Sequence, residues 1–404
     1  MTSTRVPPAG RTASPSMARA INDRLALRHL QEQGALTAGQ LKTLTGLSRP
    51  TIADLVERLR NDGLIAVAGE SGADRRGPNA RLYAIVADRA HLAGVDVRTH
   101  SVGVAVADLL GRTLAEATLP IAASTEPAVA VAAATALLDR TLRDAGADRL
   151  HTVAVGAPGL VDPATGELND TGGLPAWHGG LVSALASRQD APVLLENEVN
   201  LAAVAEQRLG AARDRGTFGL LWLGHGVGAA VVLDGVLRRG ASGGTGEIGF
   251  LPVPGTDVLP TATGCDGGFH SLAGSAAICE LAREHGIRTR PDGRVPPAEA
   301  AVRAAIEAQE SDGGPFLDAL AGRISVGAAA ICAVLDPGCV VLGGEIGRAG
   351  GEELARRVAR RLTGMSPLRT EVRAGTVGGG AVLRGAVLTA MDAAQEQLFT
   401  PPGG

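Results

Sequence analysis

Apolar side chains at Ile52, Leu55, Val56 and Leu59 fall at i, i+3, i+4 and i+7, one stripe of an α-helix, while Arg49, Asp54, Glu57 and Arg58 fill the opposite face. Ser48 stands at the N-cap of that helix, and Pro50 is tolerated because first-turn N–H groups have no partner inside the helix. Just ahead, Thr37 and Gln40 have the spacing of a capping box for a shorter helix, and Gly46 supplies the turn. The pattern predicts a helix-turn-helix over residues 36–62. Its second helix can set its N-terminal end against base edges in a major groove; an ordinary helical hairpin is the plainer alternative. Two strand-like runs follow, LIAVAGE and ARLYAIV, joined by the turn-rich SGADRRGPN. A hairpin in this place predicts a winged helix. Arg75 and Arg76 at the wing tip then reach phosphates or a narrow minor groove, or else only solvate a loop. The DNA-facing candidates are Ser48, Arg49, Thr51, Arg58, Arg75 and Arg76.

From about residue 91 the pattern changes to strands alternating with helices. HLAGVDV, SVGVAVADL, RTLAEATLPI and HTVAVGAPG read as strands, as do VLLENEV, FGLLWLGHGVGAAVVL and CVVLGGEIG. Helical stretches are expected at 127–145, 200–209, 274–284, 297–310 and 316–334. Several strands run into glycine turns, which allow a loop to approach a ligand closely at the carboxyl ends of an α/β sheet. The expected fold class is therefore α/β, with residues 1–18 a disordered tail, 19–86 the winged helix-turn-helix, and 90–395 a separate α/β domain.

Charge sharpens the division. Residues 1–86 hold 12 basic and 7 acidic side chains, net +5, which leaves −9 for the rest of a chain whose total is −4. A basic head on an acidic body is the footprint of a protein that meets nucleic acid at one end. The four cysteines, at 265, 279, 332 and 339, have no paired spacing for zinc or for a disulfide framework. The first 17 residues lack the apolar core of a signal peptide, and the longest apolar runs, near 128–138 and 326–335, read as too short to span a bilayer. A cytoplasmic protein without a membrane partner is the expectation.

GAPGLVD at 156–162, ENEVNLAAVAE at 196–206 and GHGVGAAVVLDGVLRRGASGGTGEIGF at 224–250 occur in the order and spacing of one family. The chain resembles the ROK family, whose name joins repressor, open reading frame and kinase, over residues 19 to about 395. The resemblance implies an actin-like fold of two α/β lobes with a sugar site in the cleft between them. It also implies either a sugar kinase or, with a winged helix in front, a sugar-responsive transcription factor.

Position by position, the sequence departs from the kinases. Their D-x-G-G-T phosphate turn corresponds to Asp96, Val97, Arg98, Thr99 and His100, without the glycines that close backbone approach requires. His225 replaces a threonine in the second phosphate segment, while the adenosine-side VVLGGEIG is kept. The aspartate base of E-N-D-x-N is Glu198, longer by a methylene, and misplacement of about 1 Å can cost roughly 100-fold in rate. The family's zinc ligands correspond to Phe250, Thr261, Thr263 and Gly268, none of which supplies a thiolate or imidazole. Neither a metal nor another cofactor is expected, and no catalysis.

The resemblance implies ligand contacts at Gly156, Gly159, Asn197, Glu198, Glu247 and His270. His270 takes the place of a family glutamate and could equally be a hydrogen-bonded interior histidine. Trp177 and His178, read as part of a loop, could wall the pocket or belong to the core. The expected function is a sequence-specific transcriptional regulator, a repressor of sugar-related genes, acting as a homodimer or homotetramer on a palindromic double-stranded operator and answering to a sugar or sugar derivative. A ROK-type ATP-dependent sugar kinase with an accessory DNA-binding domain is the alternative.

Overall fold

The computed structural model describes residues 15–71, 80–122, 124–169, 177–188, 191–256, 258–261, 267–289, 295–308 and 313–399. They divide into two units. The first comprises the chain up to Leu92 together with Ala107–Arg112 and the end of the chain from Met391; the second holds Ala93–Val106 and Thr113–Ala390.

In the first unit, α1 (Pro15–Gln33), α2 (Ala38–Thr45) and α3 (Arg49–Asn61) pack beside a small antiparallel sheet. Its strands β1 (Leu36–Thr37), β2 (Ile65–Ser71) and β3 (Ala80–Ile85) lie in the order β1-β3-β2. The apolar stripe Ile52, Leu55, Val56 and Leu59 is buried as its spacing requires. Helix α1 starts at Pro15, inside the stretch expected to be a disordered tail, since proline suits the first turn of a helix. The two-residue strand β1, paired Leu36 to Tyr83, was not legible as a strand because it is also the N-terminal approach to α2.

The second unit is built on two five-stranded sheets. The first, ordered β10-β7-β4-β5-β6, uses β4 (His91–Arg98), β5 (Ser101–Asp108), β6 (Thr113–Pro120), β7 (Thr152–Ala157) and β10 (Val193–Asn197). A short hairpin, β8 (Leu160–Val161) with β9 (Leu168–Asn169), follows β7. Helices α4 (Pro127–Asp144) and α5 (Trp177–Arg188) share a core with this sheet through Leu137, Leu138, Trp177, Leu181 and Leu185. Against α6 (Glu198–Leu209) and the start of α12 (Ala381–Leu398) the approach is tight. A Cβ on Gly156 would lie 2.7 Å from Leu201 Cδ1 and 2.8 Å from Val382 Cγ1. Trp177 and His178 thus open a helix and do not sit in a loop, and Trp177 is core.

The second sheet, ordered β13-β12-β11-β14-β15, contains β11 (Phe218–Leu223), β12 (Val227–Leu233), β13 (Val236–Arg238), β14 (Cys339–Gly343) and β15 (Glu371–Ala374). The stretch 218–233, read as one strand, is an antiparallel hairpin turning at Gly224–Gly226. Its layer of helices comprises α7 (His270–Ala273), α8 (Ser275–Glu284), α9 (Pro297–Glu307), α10 (Gly313–Leu335) and α11 (Gly344–Met365, broken at Gly351). Helix α10 is long and apolar enough to cross a bilayer, contrary to the expectation from shorter runs. Half of its most apolar window is buried, and Phe316, Leu320 and Ile324 lie in the core of this lobe.

Two parallel pairings prepare the cleft. In one, Gly156 and Ala157 of β7 lie beside Glu196 and Asn197 of β10; in the other, Trp222 of β11 lies beside Gly343 of β14. Both pairings deliver their motifs to the carboxyl ends of strands, where open α/β sheets bind ligands.

Candidate functional site

At the head, both caps read from the sequence are formed. Thr37 Oγ1 accepts from the Gln40 N–H at 3.1 Å, and Gln40 Oε1 accepts from the Thr37 N–H at 2.8 Å. Gly46 closes α2 with φ of 71°, a left-handed conformation that side chains with a Cβ disfavour. Ser48 Oγ accepts from the Thr51 N–H at 3.3 Å and lies 2.8 Å from Thr51 Oγ1. Ser48, Arg49 and Pro50 are exposed and Thr51 is half-buried, so the first turn of α3 is open to solvent. Farther along α3, exposed Asp54 and Glu57 would oppose phosphates, which favours this N-terminal end as the contacting edge.

Arg58 is differently placed. Its Nη2 donates to Asp23 Oδ1 at 2.6 Å and its Nε to Asp23 Oδ2 at 3.3 Å, tying α3 to α1. The helical wheel put Arg58 on the polar face but could not show a partner 35 residues away. Arg75 and Arg76 lie outside the described residues. Lys42, Arg60 and Arg81 are exposed cations that the sequence reading passed over. Only their placement on the finished head makes them visible as possible phosphate contacts.

In the body, the end of β4 carries Asp96 and Arg98. Asp96 is buried, and Arg98 Nε donates to its Oδ2 at 2.7 Å. The same guanidinium reaches across the cleft, where Nη2 donates to the Gly379 carbonyl at 2.8 Å. His178 Nε2 lies 3.3 Å from the Arg98 carbonyl. Arg98 shares a partly open space with Trp222, Gly343, Gly344, Glu345 and Gly379. At the turn expected to carry phosphate, a Cβ on Gly224 would stand 2.5 Å from Glu345 Oε2.

Glu196, Asn197 and Glu198 occupy the end of β10 and the first turn of α6. Glu196 is buried; its Oε1 accepts from Asn197 N–H at 3.0 Å and from Asn200 Nδ2 at 2.9 Å, and its Oε2 from Arg239 Nε at 2.6 Å. Asn197 caps α6 through Oδ1, which accepts from the Val199 N–H at 2.8 Å and the Asn200 N–H at 3.3 Å. Its Nδ2 donates to the Gly159 carbonyl at 3.0 Å. The Asn197 amide therefore fixes the Gly159 loop, and one Nδ2 hydrogen is left for a ligand. Gly159, at φ of 109°, is where the chain leaves β7. Gly156 is inside β7 and serves packing against Leu201 and Val382, not the pocket floor.

Glu198 carries an Oε2 that is buried without a hydrogen-bond partner. Burial first, then the neighbouring Asp96, Glu247 and Glu345 carboxylates, push its carboxyl up to about 8. Glu247 is also raised by burial. His270 is lodged in the lobe. Its Nδ1 accepts from the Val227 N–H at 3.2 Å, and its ring stands edge-on to Phe250 at 5.3 Å. A Cβ on Gly249 would lie 2.2 Å from its Nε2. Burial and nearby His225 lower its pKa, which keeps the ring neutral. The site thus brings Asn197, Glu198 and Glu247 together with Asp96 and Glu345, and it seats His270 behind Gly226 and Gly249. The bracing arginine, Arg239, was missed; its place directly before the Gly240–Gly246 loop was the available signal.

Comparison with known proteins gives this geometry its setting. The ROK family profile matches residues 92–393 and the MarR family profile residues 21–77. A candidate xylose repressor of Caldicellulosiruptor sp. (strain Rt8B.4) is 22% identical over 370 residues, 88% of this chain and 92% of its own length. The DNA-binding transcriptional dual regulator NagC of Escherichia coli (strain K12) is 25% identical over 243 residues, 59% of this chain and 58% of its own. A solved ROK family transcriptional regulator, a homolog of the E. coli MLC protein, matches with a TM-score of 0.75 at 19% identity, covering 95% of this chain and 98% of that one. A ROK family glucokinase from Streptomyces griseus, in complex with glucose and AMPPNP, matches at 0.59 and 26% identity, over 75% and 99%. The architecture is that of a winged helix followed by the two-lobed, actin-like α/β ROK fold.

Proposed function

Since the chain belongs to the ROK family, we propose that it works as a sequence-specific DNA-binding transcriptional regulator, a repressor of sugar-related genes that answers to a sugar or sugar derivative held in the ROK body. The observation that carries the reading is the open first turn of α3, capped and solvent-exposed at Ser48 and Arg49, on a winged helix joined to such a body. Ser48, Arg49 and Thr51 are the proposed base-reading edge, with Arg75 and Arg76 on the wing. Arg58 leaves that set because Asp23 holds it. Two or four copies would read a palindromic operator, with half-sites spaced by about one helical turn (~34 Å) or a multiple of it. Asn197, Glu198 and Glu247 form the proposed ligand contacts, steadied by the Gly159 loop. For the ligand to act as a switch, it must bind the DNA-competent and released states with different affinity.

The body is not proposed to phosphorylate its ligand. Arg98, standing where the kinases carry a turn glycine, is held by Asp96 and the Gly379 carbonyl, and Glu345 crowds the Gly224 turn. A kinase is the second reading, favoured by the carboxylates kept at Asp96 and Glu198. ADP release with a sugar panel tests it, and turnover abolished by Glu198→Gln would establish it. The regulator is tested by fluorescence anisotropy on DNA flanking the protein's own gene, at fixed salt, with the same panel. Binding that survives competitor DNA and changes with one sugar supports the proposal. Binding that competitor removes, with no response to any sugar, rejects it.

A further inference from the structure

We propose that Asp54 is a specificity-determining residue of the DNA-reading helix, accepting a hydrogen bond from the exocyclic amino group of a cytosine and so excluding the other bases from one position of the half-site. This rests on the DNA-reading assignment given above and names the base that the helix selects. Behind its N-cap, α3 exposes Arg49, Pro50, Ala53, Asp54, Glu57 and Arg60. Spacings of three and four residues gather them on one face, away from the buried stripe. Asp54 stands five residues from Arg49, about 7.5 Å along the axis. That is roughly two base-pair steps for a helix lying along a groove, at about 3.4 Å per step.

The head itself gives Asp54 nothing to do. Among the described residues it enters no hydrogen bond and no ion pair. Arg58, one turn farther on, is taken by Asp23 at 2.6 Å and feels Asp54 only as a charge at a distance. Aspartate is also a poor helix former away from the cap. Position 54 lies past the first turn of α3, beyond the reach of the helix dipole that would favour an acid there.

DNA offers a carboxylate few partners. An ionised aspartate only accepts, and phosphates repel it. In the major groove guanine presents the acceptors O6 and N7, and thymine presents the acceptor O4. Adenine sets its N6 amino group beside the acceptor N7, whereas cytosine presents its N4 amino group alone. Asp54 therefore opposes close approach to any duplex and recovers that loss only over a cytosine. Specificity is such a difference between affinities, made here by repulsion as much as by the bond formed. Arg49, a donor only, has the opposite preference and suits guanine, so the two side chains divide the groove floor between them.

The test selects bound sequences from a pool of randomised duplexes with the full-length protein at fixed salt, then measures them by fluorescence anisotropy. The wild type is expected to select a half-site with a fixed C·G pair about two base pairs from the pair whose identity is lost in Arg49→Ala. Asp54→Ala should flatten the preference at that C·G pair by roughly tenfold, keep the other preferences and the melting temperature, and bind random duplex more tightly. Asp54→Asn should move the preference toward A·T, since an amide pairs with adenine N6 and N7. A wild-type half-site whose fixed pairs are all A·T overturns the proposal before any variant is made. Uniform tightening in Asp54→Ala, with every base preference kept, also overturns it and leaves Asp54 as a phosphate repellent only. Failure of the wild type to select any sequence is a different result: it removes the DNA-reading assignment, and this inference with it.

Discussion

Single side chains separate holding from reading in this protein. Arg49 and Arg58 share a helix and a charge, yet Arg58 is spent on Asp23 while Arg49 stands exposed at the first turn of α3. Arg49→Ala is expected to leave the melting temperature unchanged, to weaken specific binding by about 1–3 kcal/mol and to relax sequence preference. Arg58→Ala should do the reverse, lowering head stability by about 1 kcal/mol, since its partner is mostly buried but the arginine is a third exposed. Melts and operator-variant titrations of both proteins decide this, and a loss of base preference in Arg58→Ala would return it to the DNA-contact set. Glu198 gives a pH signature. Its folded pKa of about 8 lies above the ordinary 4.5, so the folded state binds more protons than the unfolded chain between those values. The stability this group contributes is whole below pH 4.5 and is lost as pH rises through 8. Glu198→Gln, which has no charge to bury, should therefore melt higher than the wild type above neutral pH, with the advantage fading toward pH 4.5. Thermal melts across that range check the sign, and an advantage largest in acid would contradict it.

At the scale of elements, the short-range patterns were readable and the long-range ones were not. The capping box of α2, the cap and stripe of α3, and the wing strands each depend on residues within eight positions of one another, and all were legible. The capping box is the sharpest case for a measurement. Thr37→Ala removes the acceptor of the Gln40 N–H and should cost about 1 kcal/mol. Urea titration with an unchanged slope is the expected form of that loss; no shift of the midpoint would mean that β1 alone sets the start of α2. Helices α1, α5, α7, α11 and α12 escaped the sequence reading. The apolar positions of α11, Leu354, Ala355, Val358 and Leu362, sit behind a glycine-rich start that reads as a turn, and Gly351 breaks the helix in between. The cleft was half legible. Its motifs named Asn197, Glu198 and Glu247, but the partners that define their chemistry, Arg98 to Gly379 and Arg239 to Glu196, lie 281 and 43 residues apart. Spacing along the chain carries no information about such pairs.

At the scale of the molecule, the N-terminal head gathers two later stretches of the chain around it. Its unit takes in Ala107–Arg112 and the chain from Met391 onward. Within it, the Leu109 N–H donates to the Ala87 carbonyl at 2.9 Å, and the Leu109 carbonyl accepts from Gln395 Nε2 at 2.9 Å. Gln395 is 7% exposed, and Met391, Ala394 and Phe399 are buried beside it in sequence. Glu396 pairs with Arg24 on α1. A segment near the C-terminus therefore supplies part of the folding energy of the DNA-binding unit. Gln395→Ala leaves a buried carbonyl without its donor, which costs about 1–3 kcal/mol. Two measurements follow from this. A fragment of residues 1–92, which lacks both later segments, should melt well below the head of the full chain and bind operator DNA more weakly at equal salt. Gln395→Ala in the full chain should shift the same transition part of the way while leaving the operator sequence preference intact, because no base-reading residue has changed. A fragment that melts and binds like the whole protein would mean that the head is self-sufficient and that Gln395 merely anchors the end of the chain.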